Sequence, residues 1–339
     1  MFVKLRLIIL ALIMFCICVE CEAAEFDIFI TKGAEIISVE KLRPAEKVTS
    51  KEILSAKKKI ELARDNKKLL EPLAVIERGD GNYTIIEGSE IFAAMKELGA
   101  EKLPVIVHSH AYQKNVKTIE DLYKLNLAAE EEFHLLMKNL QEEYGGELTK
   151  RPHIKSEARV REKTKLELNG DYSQITDMFA ASLIYPDEES LLAVFDKIKN
   201  RADVIRIKDR WQKPMSSGYR DIKLNIILSN GAICELQLHH AATMQIKDTT
   251  DHYIYEFIRS NKKNSAMKNY VEHAQSIQKI LYNAVYNGTF ATVSDYDKKL
   301  LEDTAKKISK QKSPLILERL LNRMERILKY SLGATNIAA

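Results

Sequence analysis

Two carboxylates, one aromatic and a set of cations define the chemistry open to this chain. Gly218-Tyr219-Arg220-Asp221 is followed closely by Glu235-Leu236-Gln237. Upstream lie Asp177, within an apolar run, and the basic residues Lys155, Arg159 and Lys163 at four-residue intervals. An aromatic can stack a base, cations can grip phosphates, and paired carboxylates can hold a hard divalent cation. Together these residue types point to a nucleotide site. Each has a plainer reading alone: Asp177 as a satisfied turn aspartate, the cations as a solvated face screened by Glu157 and Glu162, the hairpin as ordinary half-wet sheet.

The elements that must position these groups can be read from alternation. Ile222, Leu224, Ile226 and Leu228 alternate with polar residues, and after Ser229-Asn230-Gly231 so do Cys234, Leu236 and Leu238. A two-residue Asn-Gly turn would pair Ile226 with Glu235 and drive a carboxylate into the core. A three-residue Ser-Asn-Gly loop with Gly231 left-handed pairs Ile226 with Cys234 and Leu224 with Leu236. Lys223, Asn225, Glu235 and Gln237 then share the opposite, polar face. Asp177 falls in Ile175 to Tyr185, which reads as a strand, where a carboxylate must be paired, hydrogen-bonded or bound to a metal. Arg151, Lys155, Arg159 and Lys163 would form one cationic stripe on a helix. Lys208, Arg210 and Lys213 lead into Gly218-Tyr219.

The remaining chain falls into an α+β arrangement. Residues 34–110 read as a first unit: a strand at 36–39, a helix at 50–66 capped by Ser50, a strand at 72–76, a turn at 80–82, a strand at 83–86, a helix from Gly88 to Leu98 and a strand at 104–107. Residues 115–148 read as a helical connector, and 151–260 as a mixed α/β unit. The region 261–339 is helical, with apolar periodicity over 265–286 and 297–332 and a break near Asn287-Gly288. With 45% hydrophobic and 29% charged residues, the composition is that of a globular protein. A net charge of +4 does not by itself argue for nucleic acid.

At the N-terminus, Lys4 and Arg6 precede an apolar run from Leu7 to Val19, and Cys21-Glu22-Ala23 supplies small residues for cleavage. Residues 1–23 thus read as a secretory signal peptide, giving an exported, periplasmic or secreted protein; the alternative is an uncleaved membrane anchor. Cleavage there leaves Cys234 as the one cysteine and rules out an intramolecular disulfide framework.

Two resemblances follow from these motifs. Pro72-Leu73-Ala74-Val75, Asp80-Gly81-Asn82-Tyr83, Ala93-Ala94 and Leu98-Gly99 make residues 34–110 similar to the ParB/sulfiredoxin-like domain. That family typically carries arginines after the glycine, whereas here Gly88-Ser89-Glu90-Ile91-Phe92 has none, which implies a binding or scaffolding role. From Pro152 to Arg259 the chain resembles the RelA/SpoT nucleotidyltransferase domain, which makes (p)ppGpp-type alarmones. The matching pieces are Lys155-Ser156 with Lys163, Thr176-Asp177, Lys213-Pro214 through Ser217-Gly218-Tyr219-Arg220-Asp221-Ile222, Glu235-Leu236-Gln237-Leu238, and His252, Tyr255-Glu256 and Arg259. Ser182, Lys223 and His153 stand where the family commonly has Arg, His and a first basic residue, and all three bear on phosphate handling.

The resemblance implies a mixed sheet with flanking helices and transfer of pyrophosphate from ATP to a nucleotide ribose hydroxyl. It implies Mg²⁺ on Asp177 and Glu235, with Glu235 also accepting the hydroxyl proton. Lys155, Arg159 and Lys163 would hold the donor phosphates, with Lys213, Arg220 and Lys223 as further nucleotide contacts. Tyr219 would stack the acceptor base beside Gln237. GTP or GDP is the favoured acceptor, with an adenine nucleotide or a tRNA end as others. An export signal on an ATP-using enzyme implies an effector or toxin acting in another cell, or a tethered cytoplasmic enzyme. The competing reading is a catalytically degenerate nucleotide-binding or protein-interaction module, docking a partner through the first unit or the C-terminal helices.

Overall fold

Alternating apolar residues and short polar turns build two sheets, each from strands distant in sequence. The computed structural model describes residues 28–333 except 31, 46, 67 and 68. The segment read as a signal peptide lies outside these described residues. The class is α+β.

The first sheet has the order β1 (Glu35–Ser38), β5 (Lys102–His108), β3 (Leu73–Glu77), β4 (Tyr83–Glu87), β2 (Leu42–Pro44). Pairs β5–β3 and β4–β2 are parallel and the others antiparallel. The three-residue edge strand β2 is too short to show alternation and was not expected. Helices α1 (Ser50–Asn66) and α2 (Ser89–Glu97) cover one face, burying Ile60, Phe92 and Met95 against Val75, Ile85 and Val105. Ser50 is not the cap of α1. The Thr49 hydroxyl accepts the Glu52 amide at 3.3 Å while the Glu52 carboxylate accepts the Thr49 amide at 2.8 Å, a reciprocal capping box one residue earlier.

Helices α3 (Ile119–Leu127) and α4 (Glu130–Tyr144) follow. Phe133, Met137 and Leu140 of α4 are buried in the core of the second sheet, so this helix packs as part of that layer. The second sheet has the order β6 (Glu147–Lys150), β7 (Ala180–Tyr185), β10 (Ile233–His240), β9 (Ile222–Ile227), β8 (Val204–Asp209). Only β7–β10 is parallel. Helix α5 (Glu157–Glu167) precedes β7, and α6 (Glu188–Ile198) crosses from β7 to β8. Helices α4 and α6 cover one face over Leu183, Leu224, Ile226, Cys234 and Leu236.

Past β10 the chain is helical: α7 (Ala241–Lys247), α8 (Thr250–Asn261), α9 (Lys268–Tyr286), α10 (Asp295–Lys310) and α11 (Pro314–Leu332). The expected run over 297–332 is two helices, because Pro314 cannot continue α10 and instead opens α11. Among the described residues no helix is long and apolar enough to cross a membrane.

The sheets dock through the face of the first that its own helices leave bare. Ala74, Ile76 and Ile86 meet Ile205 and Ile233 in a buried apolar layer, with Ile227 at its border. The Ile207 amide donates to the Arg78 carbonyl at 2.6 Å and the Thr84 hydroxyl to the Ile205 carbonyl at 2.7 Å. At Gly79 (φ +99°) a Cβ would lie 2.1 Å from the Ile207 carbonyl oxygen, so the approach requires glycine.

Candidate active site on the polar face of the second sheet

The β9–β10 hairpin turns through Ser229-Asn230-Gly231, closed by Leu228 N–H to the Ala232 carbonyl at 2.8 Å with Gly231 at φ +86°. Ile226 pairs with Cys234 and Leu224 with Leu236, the register expected of a three-residue loop. Cross-strand rows therefore run over the polar face. Asn225 stands beside Glu235, and Lys223 beside Gln237. On β8, Arg206 extends the first row and Lys208 the second. On β7, Ala180 and Ser182 complete them. The next row toward the hairpin turn, Ile227 and Ile233, is the apolar end that meets the first unit.

Two carboxylates, Glu235 on this face and Asp177 on the segment leading into β7, are each met by lysine. Lys155 Nζ lies 2.5 Å from Asp177 Oδ2 and Lys163 Nζ 2.9 Å from Oδ1, while Arg151 donates to the Asp177 carbonyl at 2.9 Å. Burial works to raise the Asp177 pKa, but Lys163 and Lys155 beside it hold the carboxyl at about 2. Burial pushes the Lys155 ammonium below the usual lysine range, with Asp177 opposing the shift. Asp177 is not in a strand as expected. β7 starts at Ala180, and residues 175–179 bend so that the Phe179 carbonyl takes the Glu235 amide at 3.0 Å. Buried Gln113 pins this segment, donating to the Ile175 carbonyl at 2.6 Å and accepting the Ile233 amide at 3.0 Å.

Nor do the four spaced cations form a single helical stripe. Helix α5 begins at Glu157, so only Arg159 and Lys163 share it, and Lys155 reaches Asp177 from the preceding turn. Lys155 is held there because its carbonyl accepts the Tyr123 hydroxyl at 2.5 Å. Arg159 instead pairs with Glu162, which also takes Arg259 of α8 at 2.7 Å.

Glu235, with 14% of its side chain exposed, accepts from Lys223 Nζ at 3.1 Å and from Gln237 Nε2 at 2.5 Å. The carbonyl oxygen of the Gln237 amide faces His239 Nε2 at 2.9 Å. That oxygen can only accept, so Nε2 carries the imidazole proton and Nδ1 is left bare and buried without a partner. Burial, and then Lys247, Lys223 and Arg210, push the His239 pKa well down, which keeps the ring neutral. Glu235, Gln237 and His239 thus form one oriented chain along β10.

The Gly-Tyr-Arg loop is braced from behind. Fully buried Asp221 accepts from Arg210 at 2.9 and 3.2 Å and from the Tyr219 hydroxyl at 2.9 Å. The Tyr219 ring meets Tyr282 of α9 edge-on at 5.4 Å, and Tyr282 donates to Asp251 of α8 at 2.6 Å. Burial and the Asp221 carboxylate raise the Tyr219 pKa, so its hydroxyl stays protonated and donating. The Arg220 guanidinium lies over Tyr286 at 4.8 Å and Trp211 at 5.9 Å, packed into the wall of the loop.

Of the residues singled out from sequence, Lys155, Lys163 and Asp177 meet at the segment that leads into β7, and Lys223, Glu235 and Gln237 meet on the polar face. Tyr219 stands at its edge, Arg159 is turned to Glu162, Arg220 is packed on aromatics, and Lys213 is exposed on its loop. Sequence reasoning missed Arg206, His239 and Lys247. Alternation along β8 and β10 would have placed the first two; Lys247 carries no local signal.

Asp177 and Glu235 are hard oxygen donors of the kind a divalent cation takes, and each is paired with lysine here. Among the described residues no cluster of three or more His, Cys, Asp or Glu exists for an all-protein cage.

No protein-family model matches the chain, and no curated protein matches it. Among solved structures it is similar to the complex of the Type VI effector Tas1 with its immunity protein, at 19% identity and a TM-score of 0.36 over 63% of this chain and 100% of that one. The small alarmone synthetase 1 of Bacillus subtilis matches at 17% identity and a TM-score of 0.36, over 51% and 96%. Sulfiredoxin from Arabidopsis thaliana matches at 20% identity and a TM-score of 0.19, over 22% and 84%. These are likenesses of partial outline, and the chain's own geometry must carry the function.

Proposed function

We propose that the polar face of the second sheet transfers the β,γ-pyrophosphate of ATP to a ribose hydroxyl of an acceptor nucleotide of the GTP or GDP type. The observation that supports this most is the pairing of each site carboxylate with lysine: Asp177 with Lys155 and Lys163, Glu235 with Lys223. An incoming triphosphate offers those ammonium groups stronger anionic partners and frees the carboxylates.

Asp177 and Glu235 would hold Mg²⁺, which when bound offsets charge on the phosphate oxygens. Lys155 and Lys163 grip the donor triphosphate. Gln237, itself oriented by His239, aims the Glu235 carboxylate. The acceptor hydroxyl oxygen attacks the β-phosphorus, the bond from that phosphorus to the α,β-bridging oxygen breaks, and AMP leaves. Glu235 takes the hydroxyl proton. Tyr219, its hydroxyl anchored on Asp221, offers ring area to the acceptor base.

The test is to mix the full chain with ATP, Mg²⁺ and, separately, GTP, GDP, an adenine nucleotide and tRNA, and to identify products by mass. AMP together with an acceptor heavier by one pyrophosphate is the expected result. Absence of AMP with every acceptor overturns the reading, and retained nucleotide binding without product would favour a recognition module. Residues 1–23 we read as an export signal; N-terminal sequencing of fractionated cells tests that part, and an intact leader in the membrane fraction would replace it with an anchor.

A further inference from the structure

Helix α7 leaves β10 directly after His240 and is seated by buried Thr243 and Ile246, the Thr243 hydroxyl donating to the Tyr286 hydroxyl at 3.2 Å. One turn beyond Thr243 on the same face is Lys247, half-buried at the edge of the site. The charges that bear on it most are Asp248, Lys223, Asp221 and Glu235, and its own charge is felt at His239. Among the described residues its hydrogen-bond partner is the Met244 sulfur alone, at 3.7 Å.

That is an unusual position for an ammonium, which carries three donors and wants oxygen acceptors, a thioether being a weak one. Of the nearby carboxylates, Glu235 is committed to Lys223 and Gln237 and Asp221 to Arg210 and Tyr219, while Asp248, the next residue, is exposed and forms no ion pair with Lys247 among the described residues. Burial pushes the Lys247 ammonium below the usual lysine range, with Asp248 opposing the shift. A desolvated charge lacking a partner lowers stability, and an anion bound there would remove that cost. The Tyr286 hydroxyl that Thr243 reaches also accepts the Arg220 amide at 3.0 Å, so this face of α7 borders the Tyr219–Asp221 loop to which the proposed function assigns the acceptor base, while Asp177 occupies Lys155 and Lys163.

We propose that Lys247 binds a phosphate of the acceptor nucleotide, an assignment that rests on the pyrophosphokinase reading and names its acceptor subsite. The acceptor is accordingly a 5′-phosphorylated nucleotide rather than a free nucleoside, and Lys247 sets that preference.

Calorimetry on the full chain tests it, with GDP, ADP and the two nucleosides as titrants, on wild type and Lys247→Met. The favoured diphosphate should lose about ten- to a hundredfold in affinity in the variant, the loss of one charge-assisted phosphate contact. Nucleoside binding and the affinity for a non-hydrolysable ATP analogue should stay unchanged. Ligand-free Lys247→Met should melt no lower than wild type, because methionine keeps the stem and removes the unpartnered charge. Equal diphosphate affinity in both proteins overturns the inference and leaves the pyrophosphokinase reading standing. A marked fall in the melting temperature of the ligand-free variant also overturns it, since Lys247 would then have a partner within the fold. Wild type that binds neither diphosphate nor the ATP analogue overturns both. A selective loss of diphosphate affinity in a protein that never releases AMP keeps Lys247 as a phosphate ligand and removes the pyrophosphokinase reading.

Discussion

The two sheets of this chain have equal strand number and opposite uses. Each packs one face against its own helices, and the difference lies in the second face. In the first sheet that face carries Ala74, Ile76, Thr84 and Ile86 and is spent on docking. In the second it carries Lys223, Asn225, Glu235, Gln237 and His239, with the end row of Ile227 and Ile233, together with Ile205 of β8, given to the partner sheet. A sheet becomes a site when its free face holds charges that water and side chains keep satisfied until a ligand replaces them; it becomes a scaffold when that face is apolar. The first unit therefore walls off the far end of the second unit's polar face, and its glycine segment, without arginines, fits a structural part.

The sharpest way to break this contrast is Glu235→Gln. The amide keeps an acceptor for Lys223 and Gln237 but cannot take a proton, so turnover should fall about 10²–10⁴-fold, roughly 3–5 kcal/mol in the transition state. Unfolding should barely move. AMP release in a single-turnover assay is the measurement, and unchanged turnover would mean that the polar face is a binding surface only.

The matching substitution on the scaffold side is Arg78→Ala. Arg78 is 2% exposed, pairs with Asp80 at 3.0 Å and donates to the carbonyls of Lys199 and Val204 across the sheet-to-sheet seam. Its removal leaves two carbonyls unpaired and should cost about 3 kcal/mol of stability, read from urea unfolding. Turnover of the folded fraction should persist. A variant of wild-type stability would show that the seam contributes little and that the first unit is free to move.

How much of this was legible follows from the range of each interaction. The hairpin register was readable because loop length and two-residue alternation are local, and a one-residue slip would have buried Glu235. The helix at 50–66 was readable from its spacing, while its cap shifted by one residue because Thr49 and Ser50 offer the same hydroxyl. The bend at 175–179 was not readable, since it depends on Gln113, which lies far from Asp177 in the chain and joins that segment to β10. Lys155 and Lys163 both meet Asp177, yet not as one helical stripe, because Lys155 reaches it from outside the helix. Arg220 looked like a phosphate ligand, but Trp211 and Tyr286 meet it only after α9 folds back on the loop.

The smallest effect separates ionic economy in the site from ordinary surface charge, and it concerns pH. The folded Asp177 pKa of about 2 lies below its usual value of 3.8, so the unfolded chain binds the proton more readily. The ionised carboxylate therefore contributes stability that is fully present above about pH 4 and is lost as pH falls through 2. That contribution is about 2 kcal/mol at neutral pH, because the side chain is largely buried and poorly screened. Asp177→Asn should accordingly be less stable than wild type by about that amount at pH 7, and the gap should close steadily between pH 4 and pH 2. Paired denaturation curves over this range provide the check. A gap that stays constant with pH would locate the loss in packing, and no gap at pH 7 would mean that Lys155 and Lys163 lie as loosely on Asp177 as exposed lysines do on the helices of the first unit.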